Sequence, residues 1–149
     1  MSFVGINNFR SNANSDNLKT NFENSLNNFQ CLFADKNTRV YSNSSSCSTY
    51  SIYFKNNILV FSDSNLLNKK QFQKAFNLFD VSDAELIHYL YSNNKIQKVK
   101  DFIGKFTFLI LDNFENQAYA YTDQIGQKEL YFSYQNGFFI FSSDISLIQ

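Results

Sequence analysis

Three features of the sequence predict an α+β fold. The 149 residues include 18 Phe and 9 Tyr but no Trp, and aromatic residues in period-2 alternation favour strands. The helical patterns are grouped between strand-like stretches rather than alternating with them one for one, which is the layout of helices beside antiparallel sheets. Pro is absent and Gly numbers 4, so the turns must rest on Asn, Asp and Ser, which tolerate left-handed backbone. The length fits one domain spanning residues 1–149 with a core of its own.

The elements follow in order. Residues 2–6, SFVGI, read as a short strand. In residues 15–30, Leu18, Phe22, Leu26 and Phe29 fall on one helical face, with Ser15 or Asp16 as the cap. TRVYS (38–42) and TYSIYF (49–54) read as strands on either side of a polar loop that holds Cys47, and NILVFSD (57–63) is a third strand. A helix is expected over 68–79, where Phe72, Ala75, Phe76 and Phe79 share a face. A second helix opens at Ser82, with Glu85 three residues later in the capping-box pattern. Two hairpins close the chain. KFTFLILD and QAYAYTD flank the turn NFEN, and KELYFSY and FFIFSSD flank Gln135-Asn136-Gly137.

Composition narrows the function classes. Lys and Arg balance Asp and Glu at a net charge of +0. No basic stripe or polybasic arm points to nucleic acid or an anionic membrane. No apolar run reaches membrane-spanning length and no leader pattern is present, so a cytoplasmic protein is expected. Cys31 and Cys47 lack metal-ligand spacing and read as reduced structural thiols. His88, the single His, sits inside a helical pattern and reads as structural rather than as a metal ligand or general base. No Ser/His/Asp arrangement or phosphate-binding loop occurs, and no metal or cofactor is expected. Asp112 and Asp123 end strands, where they would accept turn N–H groups.

Four stretches in the second half carry a resemblance. SDAELI (Ser82 to Ile87), FIGKFTFLILD (Phe102 to Asp112), TDQIGQKELYF (Thr122 to Phe132) and FSSDISLI (Phe141 to Ile148) occur in this order. They resemble S-D-T-E-V-I, L-x-G-x-F-A-F-x-x-x-D, R-D-x-x-G-x-K-P-L-Y-Y and F-A-S-E-I-K-A-L of the class II glutamine amidotransferase (glutaminase) domain of asparagine-synthetase-like proteins. Upstream, SDSNLLNKKQF resembles the A-D-A-R-I-D-N form of that family, with Asp63, Leu66 and Asn68 in place. The R-G-P-D of the family is absent, and FQCLFAD stands there. The resemblance implies an αββα four-layer sandwich of the N-terminal-nucleophile hydrolase type.

It also locates the family's site. Active members expose an N-terminal Cys directly before Gly-Ile. Here that pair is Gly5-Ile6, which puts Val4 at the nucleophile position. Ser2 would become the first residue if the initiator Met were removed, with a hydroxyl and an amine on one framework. It lies roughly 7 Å of extended strand ahead of the nucleophile position. The Asn side chain and Gly N–H that hold the oxyanion in the family correspond to Asp63 and Ser64. The Asp that binds the α-amino group of glutamine corresponds to Asp83, which doubles as a first-turn acid favoured by the helix dipole. The substrate-gripping Arg has no matching counterpart, Arg39 being the one Arg in the region. With two carboxylates and no such Arg, a cation from a partner or from Asn68-Lys69-Lys70 suits the spot.

The expected function is a catalytically inactive glutaminase-like domain. It would dock to and stabilise an asparagine-synthetase-like ligase, as in the branches of lasso-peptide cyclases and β-lactam-forming synthetases that lack the nucleophile Cys. The alternative is a stand-alone protein-binding module, an inhibitor or immunity protein on the same fold. Both need a protein partner, and neither needs nucleic acid or membrane.

Overall fold

The computed structural model describes residues 2–9, 24, 26, 28–43, 50–135 and 137–148. The helix expected over 15–30, the polar loop with Cys47 and the turn at Asn136 lie wholly or partly outside them. The described elements confirm a mixed α+β chain with two antiparallel sheets. They fall into two compact units, Met1–Cys47 with Leu130–Gln149, and Ser48–Glu129.

The first unit holds β1 (Phe3–Asn8), β2 (Gln30–Ala34), β3 (Thr38–Ser42), β8 (Tyr131–Gln135) and β9 (Phe138–Ser142), in the order β2-β3-β1-β9-β8. Strand β1 is the centre: it pairs with β3 on one side and β9 on the other, and all six residues are buried. Val4 packs with Leu26 and Tyr41. On the other face an aromatic file runs Phe3, Phe141, Phe139, Phe132, with centroids 6.4, 6.1 and 5.9 Å apart. Gly5 lies opposite Phe141 in the ladder, and a Cβ there would meet the Phe141 ring at 2.1 Å. A side chain at position 5 is therefore excluded by packing rather than by backbone angle. Strand β2 was not foreseen. It is an edge strand with a register shift between Cys31 and Phe33, which destroys the period-2 signal.

The second unit holds β4 (Tyr50–Lys55), β5 (Ile58–Leu66), β6 (Gly104–Asp112) and β7 (Gln117–Thr122) in sequence order, with helices α1 (Lys69–Phe76) and α2 (Asp83–Ser92). Strands β5 and β6 pair from Ile58↔Asp112 to Leu66↔Gly104. One face, with Val60, Leu66, Phe106, Phe108 and Ile110, packs on Phe72, Leu86, Ile87 and Leu90 of the helices. Leu59, Phe61, Leu109 and Leu111 on the other face are also buried, so β5 and β6 are apolar on both sides. Strand β5 runs three residues beyond the expected end at Asp63, and α1 stops at Phe76 rather than Phe79. The stop is Asn77, left-handed at φ 58°. Asn also fills the positive-φ positions 56, 57, 94 and 116, the role that scarce Gly leaves open. A 3-10 segment, Ile96–Asp101, was not anticipated. No helix among the described residues is long and apolar enough to cross a membrane.

Helix α2 begins as its sequence dictates: the Ser82 hydroxyl accepts the Glu85 N–H at 3.1 Å. The Ala84 N–H donates to Ser51 Oγ of β4 at 3.0 Å. One turn from the end, His88 is buried, with Tyr53 edge-on at 5.0 Å. Its Nε2 lies 3.1 Å from the Lys55 carbonyl, and a carbonyl can only accept, so Nε2 carries the proton. Burial lowers the imidazole pKa below its ordinary value. The Lys55 carbonyl and the Glu85 carboxylate oppose the shift, and the Lys55 ammonium adds to it. His88 is thus a neutral structural side chain.

Two outcomes follow. Gly5→Ala should lower stability by about 1–3 kcal/mol through overpacking, and adding Phe141→Leu should restore part of it, as read by chemical denaturation. The His88 shift is downward, so its stability is fully present above the unfolded value of about 6.5 and is lost as pH falls towards the folded pKa. The urea midpoint should therefore drop between about pH 7.5 and about pH 5.5. Because His88 is the single His, His88→Gln should flatten that dependence.

Candidate functional site

Strand alternation divides the expected site residues on β5. Ser62 and Ser64 project to the helix side, and Asp63 to the other. On the helix side Ser64 Oγ donates to Asp83 Oδ2 at 2.6 Å. Its proton being committed to the carboxylate, Ser64 Oγ accepts from Ser62 Oγ, 2.7 Å away. The other oxygen of Asp83, Oδ1, is 3.0 Å from Lys69 Nζ, with the side chains only 14% and 29% exposed. Asp83 also opens α2, where the helix dipole favours an anion. The cation looked for in Asn68-Lys69-Lys70 is therefore Lys69, from the first turn of α1.

On the opposite face Asp63 meets a partner that sequence reasoning missed. Lys128 Nζ lies 2.9 and 3.0 Å from its two oxygens. The Asp63 side chain is 9% exposed and that of Lys128 28%, so the carboxylate is largely removed from water and depends on the cation beside it. Lys128 is held in place by Asp123. The Asp123 carboxylate accepts backbone N–H groups from Phe106 at 3.3 Å, Ile125 at 3.2 Å and Gln127 at 3.1 Å. The Asp123 N–H returns a bond to the Phe106 carbonyl at 2.8 Å. Burial alone would raise the carboxyl pKa, but the N–H groups of Gln127, Phe106, Ile125 and Lys128 bring it below the ordinary value. The signal for Lys128 was available, as it is the Lys of TDQIGQKELYF.

The same physics explains other letters of the quoted stretches. Asp112 Oδ1 accepts the turn N–H groups of Phe114 and Glu115, each at 3.0 Å, and Tyr91 donates to Oδ2 at 2.9 Å. Burial, then Asp112, raises the Tyr91 hydroxyl well above its usual value. Gly104 has φ +135°, and a Cβ there would lie 2.1 Å from the Asn65 carbonyl, so no other residue fits.

The nucleophile positions belong to the first unit. Val4 lies inside β1, fully buried, paired with Tyr41 and Ser142. Its nitrogen is a peptide nitrogen within a strand. Ser2 precedes the strand, with its N–H on Asn43 Oδ1 at 2.8 Å. Its carbonyl accepts from the Asn43 N–H and the Ser42 hydroxyl at 3.2 and 3.3 Å. Nearby, the Asp144 carboxylate accepts from the Ser146 hydroxyl and N–H at 2.7 and 3.0 Å, which chiefly lower its pKa. Arg39 lies on β3 opposite Ile6. Cys31 is exposed and unoxidised, with Sγ 3.5 Å from the Phe33 carbonyl. No group of three or more potential metal ligands occurs among the described residues.

Two comparisons bear on this arrangement. The sequence pattern of the glutamine amidotransferase domain matches residues 45–149. A protein of Methanocaldococcus jannaschii that carries the name of a glutamine-hydrolyzing asparagine synthetase is 29% identical over 90 residues, 59% of this chain and 18% of that relative. The chain thus spans less than a fifth of the length of the relative it matches. On the family match across residues 45–149, the chain belongs to the glutamine amidotransferase domain family, of the kind found in asparagine-synthetase-like proteins.

Proposed function

We propose that this chain is a glutaminase-like domain that no longer hydrolyses glutamine and serves to dock to and stabilise an asparagine-synthetase-like ligase in the cytoplasm. It is read as one domain with the αββα four-layer sandwich of N-terminal-nucleophile hydrolases, lacking the nucleophile of the active branch.

The observation that carries the proposal is the internal neutralisation of both carboxylates at the glutamine-contact positions. Asp83 corresponds to the residue that would bind the α-amino group of glutamine, and Lys69 and Ser64 already occupy its two oxygens. Asp63 replaces an oxyanion donor and is closed by Lys128. A carboxylate cannot donate, and losing one such donor typically costs about 3 kcal/mol of transition-state stabilisation. Val4, at the nucleophile position, offers neither a thiol nor a free amine. Ser2 is displaced from that position, and a displacement of even about 1 Å can cost on the order of a hundredfold in rate. Support for the docking role is the similarity of the chain to a protein that carries the name of a glutamine-hydrolyzing asparagine synthetase.

Incubation with millimolar glutamine should release no glutamate above background, and calorimetry should show no glutamine binding. Glutamate release that disappears in Ser2→Ala would overturn the proposal. So would glutamine binding that disappears in Asp83→Asn. For the docking role, co-expression with a synthetase-type polypeptide from the same reading frame or the adjacent gene should yield a stable complex; a chain that stays free in its presence would argue against it.

A further inference from the structure

The second unit contains a cavity of about 440 Å³ that none of the paired carboxylates lines. Its apolar wall includes Val99, Phe102, Phe106 and Tyr121, and its polar lining includes Lys100 and Thr122. The wall is preformed. Val99, Phe102 and Phe106 are each at most 6% exposed. The Phe102 ring meets Phe106 edge-on at 5.7 Å, and Phe106 continues through Phe108 to Tyr121 in stacks of 5.9 and 4.8 Å.

The charges at this cavity are asymmetric. Three lysines lie on residues 95–100. Lys95 is held over the rings of Phe76 and Tyr89 at 4.8 and 5.6 Å. Lys98 pairs with Asp101 at 3.9 Å. Lys100 has no ion-pair or hydrogen-bond partner among the described residues, and it is the one charged residue lining the cavity. The Tyr121 hydroxyl likewise has no described hydrogen-bond partner, and burial raises its pKa, so it stays protonated and able to donate.

We propose that this cavity binds a small aromatic carboxylate, its ring against Phe102, Phe106 and Tyr121 and its carboxylate towards Lys100. The volume lies in the usual range for small-molecule sites, about 300–1,000 Å³. Aromatic walls favour a flat ring in edge-on or offset contact. With no acid in the lining, a cationic ligand has no counter-charge. A single ammonium without an Arg fork suits a monoanion better than a phosphate, which is commonly gripped by several donors.

The probe is 1-naphthoate, titrated into the full chain and followed by amide chemical shifts and calorimetry, with neutral 1-naphthamide as its isostere. Saturable submillimolar binding is expected, with shifts centred on Phe102, Phe106 and Tyr121. Because Lys100 is exposed, its ion pair should be modest. Lys100→Met should weaken naphthoate by about fivefold or less, leave naphthamide unchanged and leave thermal stability unaltered. Absence of saturation at millimolar naphthoate would overturn the proposal, as would shifts centred elsewhere, or equal binding of the two probes with no effect of Lys100→Met.

Discussion

A carboxylate on a face from which water is excluded must find a cation, and much of the second unit is arranged around that requirement at Asp63. Because Val60, Ser62 and Ser64 face the helices, Asp63 must share the other face of β5 with Leu59 and Phe61, both at most 1% exposed. An unpaired charge there costs several kcal/mol. The compensating Lys128 comes from 65 residues further along the chain. A series of contacts delivers it. The β5–β6 register places Phe106 opposite Ser64. The backbone of Phe106 bonds both the N–H and the carboxylate of Asp123. Asp123 then gathers the following N–H groups and so fixes the loop that carries Lys128. Each step is local or a strand pairing, and only the last crosses the fold.

Asp83 obeys the same requirement by a shorter route. Its cation is Lys69, at the start of α1, and its second oxygen is taken by Ser64. The two ion pairs sit on opposite faces of one strand, which separates side chains that neighbour each other in sequence. This bears on function directly. A glutamine pocket needs a carboxylate free to receive an ammonium and neutral donors facing an oxyanion. Here both carboxylates are paired internally, Asp83 with Lys69 and Asp63 with Lys128, which is the basis of the proposed inactivity. The family relationship is compatible with the proposed loss of hydrolysis, because an ion pair can preserve a fold after a site has lost its substrate.

Legibility in the sequence followed the range of each interaction. Short-range devices were readable: Ser82 as the cap of α2, Asp112 and Asp123 as acceptors of turn N–H groups, and Asn in the left-handed positions that four glycines could not fill. The apolar β6 was readable because seven consecutive residues from Phe106 to Asp112 are buried. Strand β2 was not, since its bulge at Cys31 and Phe33 cancels the alternation that marks a strand. Lys69 could be anticipated from its nearness to the site in sequence. Lys128 could not be assigned by spacing alone, because the Asp63 contact depends on the Asp123 loop. The face on which Asp63 projects followed only once the register of β5 against the helices was known.

Their mutual pairing makes Asp63 and Lys128 a structural unit rather than remnants of a binding site. Chemical denaturation of Lys128→Met, Asp63→Leu and the double variant tests it most directly. Lys128→Met alone should cost about 3–5 kcal/mol, because it strands a buried charge, and combining it with Asp63→Leu should recover most of that loss. Additive losses in the double variant, or a Lys128→Met protein as stable as the parent, would show that the pair does not hold the fold.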